Sequence, residues 1–322
     1  MPILSLFIYV PLQVAFIPFA VLGVMLVAYK QIVVSKKVGV SQTAVEIINA
    51  RWTMHIFSMR DDDATAKLAA ALPNTSLFGL WLVLFPLWVK SKISGSPFLY
   101  PRKPEPGSET LADFIVARTF YFDSIIEREI RGVEQFVMMG AGYDMRAYGN
   151  FLRDGVTFFE IDQPSVQQHK RAVLDGASIS SEHVNFVSVD FTKENVFDKL
   201  IQSGYDLTKK TLFLWEGVTL YLSETEVRKA IKEIRSKAAV GSILLADIYA
   251  DRMFKKLKSG AITKTLEYTN ESIKFTLNLA TNYDEALSEF IESESLSVGE
   301  TFFIGWKDEK GPLLAIVEMK CD

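Results

Sequence analysis

The stretch that most constrains this chain runs from Gln135 to Arg146, QFVMMGAGYDMR. Residues Gln135 to Met139 read as a buried strand. Gly140, Ala141 and Gly142 break it into a turn, and the pattern after Tyr143 predicts a helix. About twenty residues on, a second apolar run from Val156 to Ile161 ends in Asp162. A glycine turn after one strand and an acid after the next suit a nucleoside cofactor. The glycines let the backbone approach the ligand, and the acid accepts from two ribose hydroxyls.

From Ser108 onward helices alternate with short apolar strands. The pattern predicts helices over 110–131, 164–174 and 224–237. It predicts strands over 135–139, 156–161, 183–189, 211–215 and 241–247. The tail, 301–306 with 313–319, reads as a hairpin around 307–312. This alternation implies an α/β fold, doubly wound, with a mainly parallel sheet wrapped by helices. Ligands in such sheets lie at the carboxyl ends of the strands, where strand order reverses. Gly140 and Gly142 follow the first strand, Asp162 the second, Asp190 the third and Glu216 the fourth, which makes a crescent of polar or glycine positions.

Net charge is −4, and no Lys/Arg stripe is interleaved with aromatics, so nucleic acid is not an expected partner. The one cysteine, Cys321, excludes intrachain disulfides and argues against a Cys-based zinc site or a Cys nucleophile. His55, His169 and His183 are scattered without metal-ligand spacing, and no metal is expected.

Hydrophobic residues make up 49% of the chain, and the excess lies before residue 90. Ile3 to Tyr29 holds no charged side chain. As a helix it would extend roughly 40 Å, beyond the roughly 30 Å hydrocarbon core. Pro11 and Pro18 interrupt it, which membrane helices tolerate. Residues 1–35 are therefore expected to span or anchor to a bilayer. Lys30, Lys36 and Lys37 place that end, and the body that follows, on the cytoplasmic side. A second apolar block, 77–89, carries Trp81, Trp88 and Pro86 and ends at Lys90 and Lys92. It is short for a span and suits an interfacial or re-entrant helix. Between these blocks, 41–52 has helical spacing with Ser41 or Thr43 as N-cap, and Arg60-Asp61-Asp62-Asp63 opens another helix through Leu72. Residues 36–107 thus form a helical cap, closed by a Pro-rich linker over 94–107.

Phe136–Tyr148 (FVMMGAGYDMRAY), Phe159–Lys170 (FEIDQPSVQQHK) and Leu214–Leu222 (LWEGVTLYL) resemble the leucine carboxyl methyltransferase-like group of class I S-adenosylmethionine-dependent methyltransferases. Ala117–Asp123 is similar to that group's arginine helix, and Ser41–Arg51 to the Thr-Ala…Arg cap helix of its bacterial members. The match runs from about residue 40 to the end. It implies a seven-stranded, Rossmann-like sheet over 108–322 and S-adenosyl-L-methionine as cofactor. It also implies that Arg118 would pair with the methionyl carboxylate. Gly140, Ala141 and Gly142 would pass the methionyl and ribose part, and Asp162, with Glu160 as a nearby alternative, would hold the ribose. Asp190 and Phe191 would bracket adenine, and Glu216 would meet the methionyl amine. Tyr221 would face the substrate or pack in the core. Asp144 and Arg146 would form an ion pair closing the turn or touch the cofactor. The group's second basic contact, from the cap, is not fixed by the pattern; Arg51 is one candidate. The insert over 251–297, with Lys255, Lys256, Lys258 and Lys264, would form a lid over the substrate.

Methyl transfer from a sulfonium is an in-line displacement in which the cofactor carries the reactivity and the protein supplies alignment. A carboxylate acceptor needs no base, and no histidine falls at a strand end. With the apolar N-terminus, this points to a carboxylate or acidic hydroxyl on a hydrophobic small molecule or lipid resident in the bilayer. Two alternatives share these features. One is an NAD(P)-dependent oxidoreductase, although the third glycine of its turn is missing. The other is a non-catalytic membrane scaffold of the same fold. The pattern says nothing of oligomeric state.

Overall fold

The computed structural model describes residues 2–190, 194–253 and 273–321. Seven strands among them form one sheet: β1 Gln135–Met139, β2 Thr157–Asp162, β3 Val184–Ser188, β4 Thr211–Trp215, β5 Ile243–Tyr249, β6 Ser297–Ile304 and β7 Leu314–Lys320. Their order is β3-β2-β1-β4-β5-β7-β6. The first five are parallel, and β7 runs antiparallel to both β5 and β6. Side chains alternate across the strands, so each face has its own core. Phe136 and Met138 pack with Phe122 and Ile126 of helix α6 (Phe114–Glu129). Val137 and Met139 pack with α8 (Val196–Gln202), α9 (Glu224–Lys237) and α10 (Tyr283–Glu292) on the other face. Strand order reverses between β1 and β4, so the loops leaving them diverge and open a crevice at the sheet's carboxyl edge.

The helix expected after β1 is not formed. The chain makes a single 3₁₀ turn, Arg146–Tyr148, before β2. Two causes are visible. The Asp144 and Arg146 side chains are drawn into a buried ion network, and the following Gly149, Asn150, Asp154 and Gly155 favour turns. β5 starts later than expected and continues to Tyr249, because Gly241 and Ser242 form the turn that enters it.

The cap lies over the carboxyl edge of the sheet. Helix α3 (Gln42–Ile56) begins at Ser41, whose hydroxyl accepts from the Thr43 N–H, and α4 (Asp63–Ala71) is capped in the same way by Asp62. Helix α7 (Pro164–Gly176) packs Leu174 into this cluster. The Pro-rich linker is held against the body: Arg102 makes a two-bond fork to Asp113 at 2.8 and 2.7 Å.

Helix α1 (Pro2–Ala28) runs on through a π-helical stretch, Tyr29–Val34, into the short α2 (Ser35–Val38). The second apolar block forms α5 (Leu77–Ser94), which is longer than the 77–89 expected and about 27 Å in extent. Both helices are long and apolar enough to cross a membrane. They pack antiparallel: Phe16 stacks on Phe85 with centroids 5.2 Å apart, and Tyr9 meets Phe98 edge-on. They cross at Gly23 and Gly79, where a Cβ on Gly79 would lie 2.8 Å from the Gly23 carbonyl oxygen. Helix α5 in turn lies along the cap. Trp81 packs edge-on against Trp52 of α3, Trp88 Nε1 donates to the Ile56 carbonyl at 3.2 Å, and Lys92 Nζ donates to Ser58 Oγ.

Candidate active site

At the switch point lies a cavity of about 430 Å³. Gly140, Ala141 and Gly142 form its floor after β1, and Asp162 stands beside them after β2. The turn is fixed by the Gly140 and Ala141 N–H groups, which donate to the Ile161 carbonyl at 2.8 and 3.0 Å. Gly140 has φ +73°, and a Cβ there would collide with Cγ2 of Val218, so only glycine fits. Asp162 accepts from the Gly142 and Gln163 N–H groups at 2.6 and 2.7 Å, which aims its carboxylate across the glycine turn. Burial raises its pKa, and the two backbone donors oppose the rise. Asp190 and Glu216 complete the rim. The fourth wall comes from α3, which lays Thr43, Ala44, Ile47 and Arg51 on one helical face over the cavity.

Under the rim lies a buried network of arginines and carboxylates. Arg51, only 3% exposed, donates to Asp144 at 3.0 Å and to both Glu216 oxygens at 2.9 and 3.0 Å. Arg146 joins Asp144, Glu216 and Asp123 at 2.5, 2.6 and 2.7 Å. Burial alone would raise the pKa of Glu216, but Arg146, Arg51 and Arg118 outweigh it and hold the carboxyl at about 2. Asp144 is likewise held well below the ordinary range against its burial, by Arg146 and Arg51. Both are ionised at neutral pH. Asp247 differs: burial pushes it up to about 6 despite Arg118. It accepts the Gly217 N–H at 2.9 Å and so fixes the loop after β4.

The structure gathers Gly140, Ala141, Gly142, Asp162, Asp190, Glu216 and Tyr221 around one cavity. Asp144 lies on its wall, with the ion pair to Arg146 formed. Glu160 does not reach it; this side chain is buried against Lys170 at 2.8 Å, and its pKa is raised by burial against the pull of that lysine. Arg118 does not line this cavity. Asp247 and the Tyr249 hydroxyl, at 3.3 and 2.6 Å, hold its guanidinium behind Gly217. Phe191 and residues 254–272 of the lid insert, with its four lysines, lie outside the described residues; of the rest, Lys274 lines the cavity and α10 packs against the sheet. His169 meets the Tyr143 hydroxyl at 3.1 Å, His183 meets the Ala147 carbonyl at 2.8 Å, and neither lines the cavity. Folding brings His55 together with Asp61 and Asp63, a proximity the spacing did not suggest, on a patch where both acids are exposed. Asp247 was missed by the sequence reading; its signal is an acid inside the apolar strand ILLADIY.

A second, larger cavity of about 880 Å³ adjoins the first. Thr43, Ile47, Gly217 and Tyr221 line both. Tyr221 stands at the junction, with its hydroxyl 3.1 Å from Thr43 Oγ1. Arg118 and Tyr249 lie at the inner end of this second cavity, and α1 and α5 supply much of its apolar wall.

Buried guanidinium groups at the rim are incompletely satisfied. Arg51 Nε and Arg146 Nη2 have no hydrogen-bond partner among the described residues. A buried donor without an acceptor is costly, so this donor set fits an anionic group. The methionyl carboxylate of an adenosyl sulfonium is such a group, and Asp162 suits its ribose. Relatives agree. A protein of Mycobacteroides abscessus, provisionally named an S-adenosyl-L-methionine-dependent methyltransferase, is 32% identical over 237 residues, covering 70% of this chain and 72% of that one. YktD of Bacillus subtilis, provisionally named in the same way, is 34% identical over 139 residues, 42% of this chain and 45% of that protein. Among solved structures, a methyltransferase from Thermobifida fusca, also provisionally named, aligns over 79% of this chain and 93% of its own with 14% identity and a TM-score of 0.48. This is an S-adenosylmethionine-dependent methyltransferase. The family described as leucine carboxyl methyltransferase matches residues 61–235, and the chain belongs to that family.

Proposed function

We propose that the enzyme methylates an oxygen, a carboxylate or acidic hydroxyl, on a hydrophobic small molecule drawn from a membrane. The observation that carries this reading is the shared wall at Thr43, Ile47, Gly217 and Tyr221, which joins a charged cofactor-sized cavity to an apolar chamber. S-adenosylmethionine supplies an electrophilic methyl on a sulfonium. The acceptor oxygen takes that methyl in line, and the broken bond's electron pair stays on sulfur. The chain's residues bind and align. Arg51 faces the carboxylate end of the cofactor, Glu216 the ammonium, the 140–142 turn the sulfonium-to-ribose stretch, and Asp162 and Asp190 the ribose and adenine. Tyr221 positions the acceptor between the two cavities. No histidine lines either cavity among the described residues, which suits an acceptor that is already ionised. The family's name, taken from a carboxyl acceptor, agrees.

Membrane association belongs to the same reading. Phe7, Val10, Val14, Phe19, Met25 and Phe78 expose apolar surface along α1 and α5. Because α5 is tied to the cap along its length, the α1–α5 pair in this arrangement lies flat on the cap. That geometry suits in-plane insertion, with the exposed Lys36, Lys37 and Lys92 near the headgroups. The test is to incubate membranes with the full-length enzyme and S-adenosylmethionine carrying a labelled methyl, then identify the product by mass. An organic-soluble methyl ester or ether is expected. Label confined to polar soluble acceptors would refute the reading. Calorimetry with S-adenosylhomocysteine against NAD(H) separates it from an oxidoreductase.

A further inference from the structure

The second cavity has a charged inner end and a mainly apolar body, whose lining also includes Gln31, Glu46 and Asn49. At the inner end stands Arg118, 3% exposed. Its Nη1 is engaged by Tyr249 and Asp247 and its Nε lies 3.3 Å from Glu216, while Nη2 has no hydrogen-bond partner among the described residues. The body is walled by Val24 and Val27 of α1, Val83 and Leu87 of α5, and Ala50 of α3. On α1 the lining residues recur at helical spacing. Phe19 and Leu22 fall on the opposite side and are exposed, so one helix separates the chamber from its surroundings. A charged donor at one end of a long apolar chamber, with an apolar outer surface beyond a single helix, selects a particular kind of molecule.

We infer that this chamber holds a single-chain amphiphile with an ionised carboxyl head, loaded from the lipid against the α1–α5 pair. The inference rests on the methyltransferase reading of the first cavity and deepens it. The Arg118 Nη2 proton donor holds one carboxylate oxygen. The other oxygen is left toward Tyr221 and Gly217, where the two cavities meet. The hydrocarbon tail runs between α3 and the α1–α5 pair. Cofactor and acceptor then enter by different routes: the cofactor at the rim of the sheet, the acceptor from the apolar side. A tail taken from a bilayer gains little by moving into another apolar site, so the head group governs selectivity.

The probe is hexadecanoic acid carrying a photoreactive diazirine near its methyl end, in phosphatidylcholine vesicles with the full chain and saturating S-adenosylhomocysteine. After irradiation, mass spectrometry should find label on Ala50, Val83 or Leu87. Unlabelled hexadecanoic acid should displace the probe about tenfold or more better than hexadecanol does, the advantage of a charge-assisted hydrogen bond. Leu87→Trp, which fills the chamber away from the ion network, should abolish chamber labelling and leave S-adenosylhomocysteine affinity within about twofold by calorimetry. Arg118→Gln should erase the preference for acid over alcohol. Label confined to the outer face, around Phe19, Leu22 and Phe78, would overturn the inference, as would chamber labelling that survives Leu87→Trp or equal displacement by the alcohol. Loss of S-adenosylhomocysteine binding by the unaltered enzyme would instead strike at the first cavity's reading.

Discussion

Replacing Glu216 by glutamine keeps the side chain's shape and removes its charge, which isolates what the buried arginines contribute. The carboxyl is held at about 2 in the folded protein, against an ordinary value of 4.5. At roughly 1.4 kcal/mol per pH unit, that depression is worth about 3 kcal/mol of folding stability. Breaking a buried ion pair typically costs about 3–5 kcal/mol, which agrees. The sign follows from the direction of the shift. A depressed carboxyl stabilises the fold fully above its unfolded value, and this stabilisation disappears as pH falls from about 4.5 through about 2. Glu216→Gln should therefore lose about 3 kcal/mol relative to the unaltered enzyme at pH 7, with the gap closing toward pH 2. Urea unfolding in mild detergent, followed through tryptophan fluorescence, to which the buried Trp215 beside Glu216 contributes, measures it. A gap below about 1 kcal/mol, or one equal at pH 3 and pH 7, would refute the claim that Arg51, Arg118 and Arg146 hold an ionised Glu216.

Three further changes test other parts of the site. Gly140→Ala meets both a left-handed backbone and the Val218 side chain; a loss of about 2 kcal/mol in urea unfolding and at least tenfold weaker S-adenosylhomocysteine binding are expected. Asp162→Ala removes the acceptor for two backbone N–H groups and, in the proposed binding mode, for the ribose; calorimetry should show affinity falling about tenfold or more, and unchanged affinity would place the ribose elsewhere. Gly23→Leu forces α1 away from α5 where the two backbones touch; limited trypsin digestion should then cut sooner at Lys30 or Lys36, and an unchanged digestion pattern would mean the crossing does not hold the pair together.

The legible parts of this protein are those where one local rule suffices. β1 and β4 appear with the bounds that their apolar runs predict, and the glycine turn lies where its spacing puts it. Ser41 and Asp62 cap their helices as their residue types require. The missing helix after β1 shows where local rules stop. Residues 143–148 have no intrinsic reason to avoid a helix. Their conformation is decided by Arg146 reaching Asp123 on α6 and Glu216 after β4, partners 23 and 70 residues away. Glu160 shows the same thing from the other side, since Lys170, ten residues on, takes it out of the site. The length of α5 was misread because Lys90 looked like a terminus. In the fold Lys90 is buried, with its ammonium 4.2 Å from the centre of the Phe98 ring, and the helix runs on past it.

The arginines show why a resemblance can assign a residue type to a site before a fold assigns the residue to a place in it. The resemblance gives Arg118 to the methionyl carboxylate and leaves Arg51 as a candidate for a second basic contact; in the fold both reach Glu216. What separates them is β5. Asp247 and Tyr249 lie on that strand at alternate positions, on one face, and together hold the Arg118 guanidinium behind Gly217. Arg51 is held instead by Asp144 and Glu216 and, carried on α3, faces the first cavity. One carboxylate, Glu216, thus sits between two arginines that look into two different cavities. A charge change at Glu216 should be felt on both sides, by the cofactor through Arg51 and by the acceptor through Arg118. Leu87→Trp, which touches only the chamber, should be felt on one side alone.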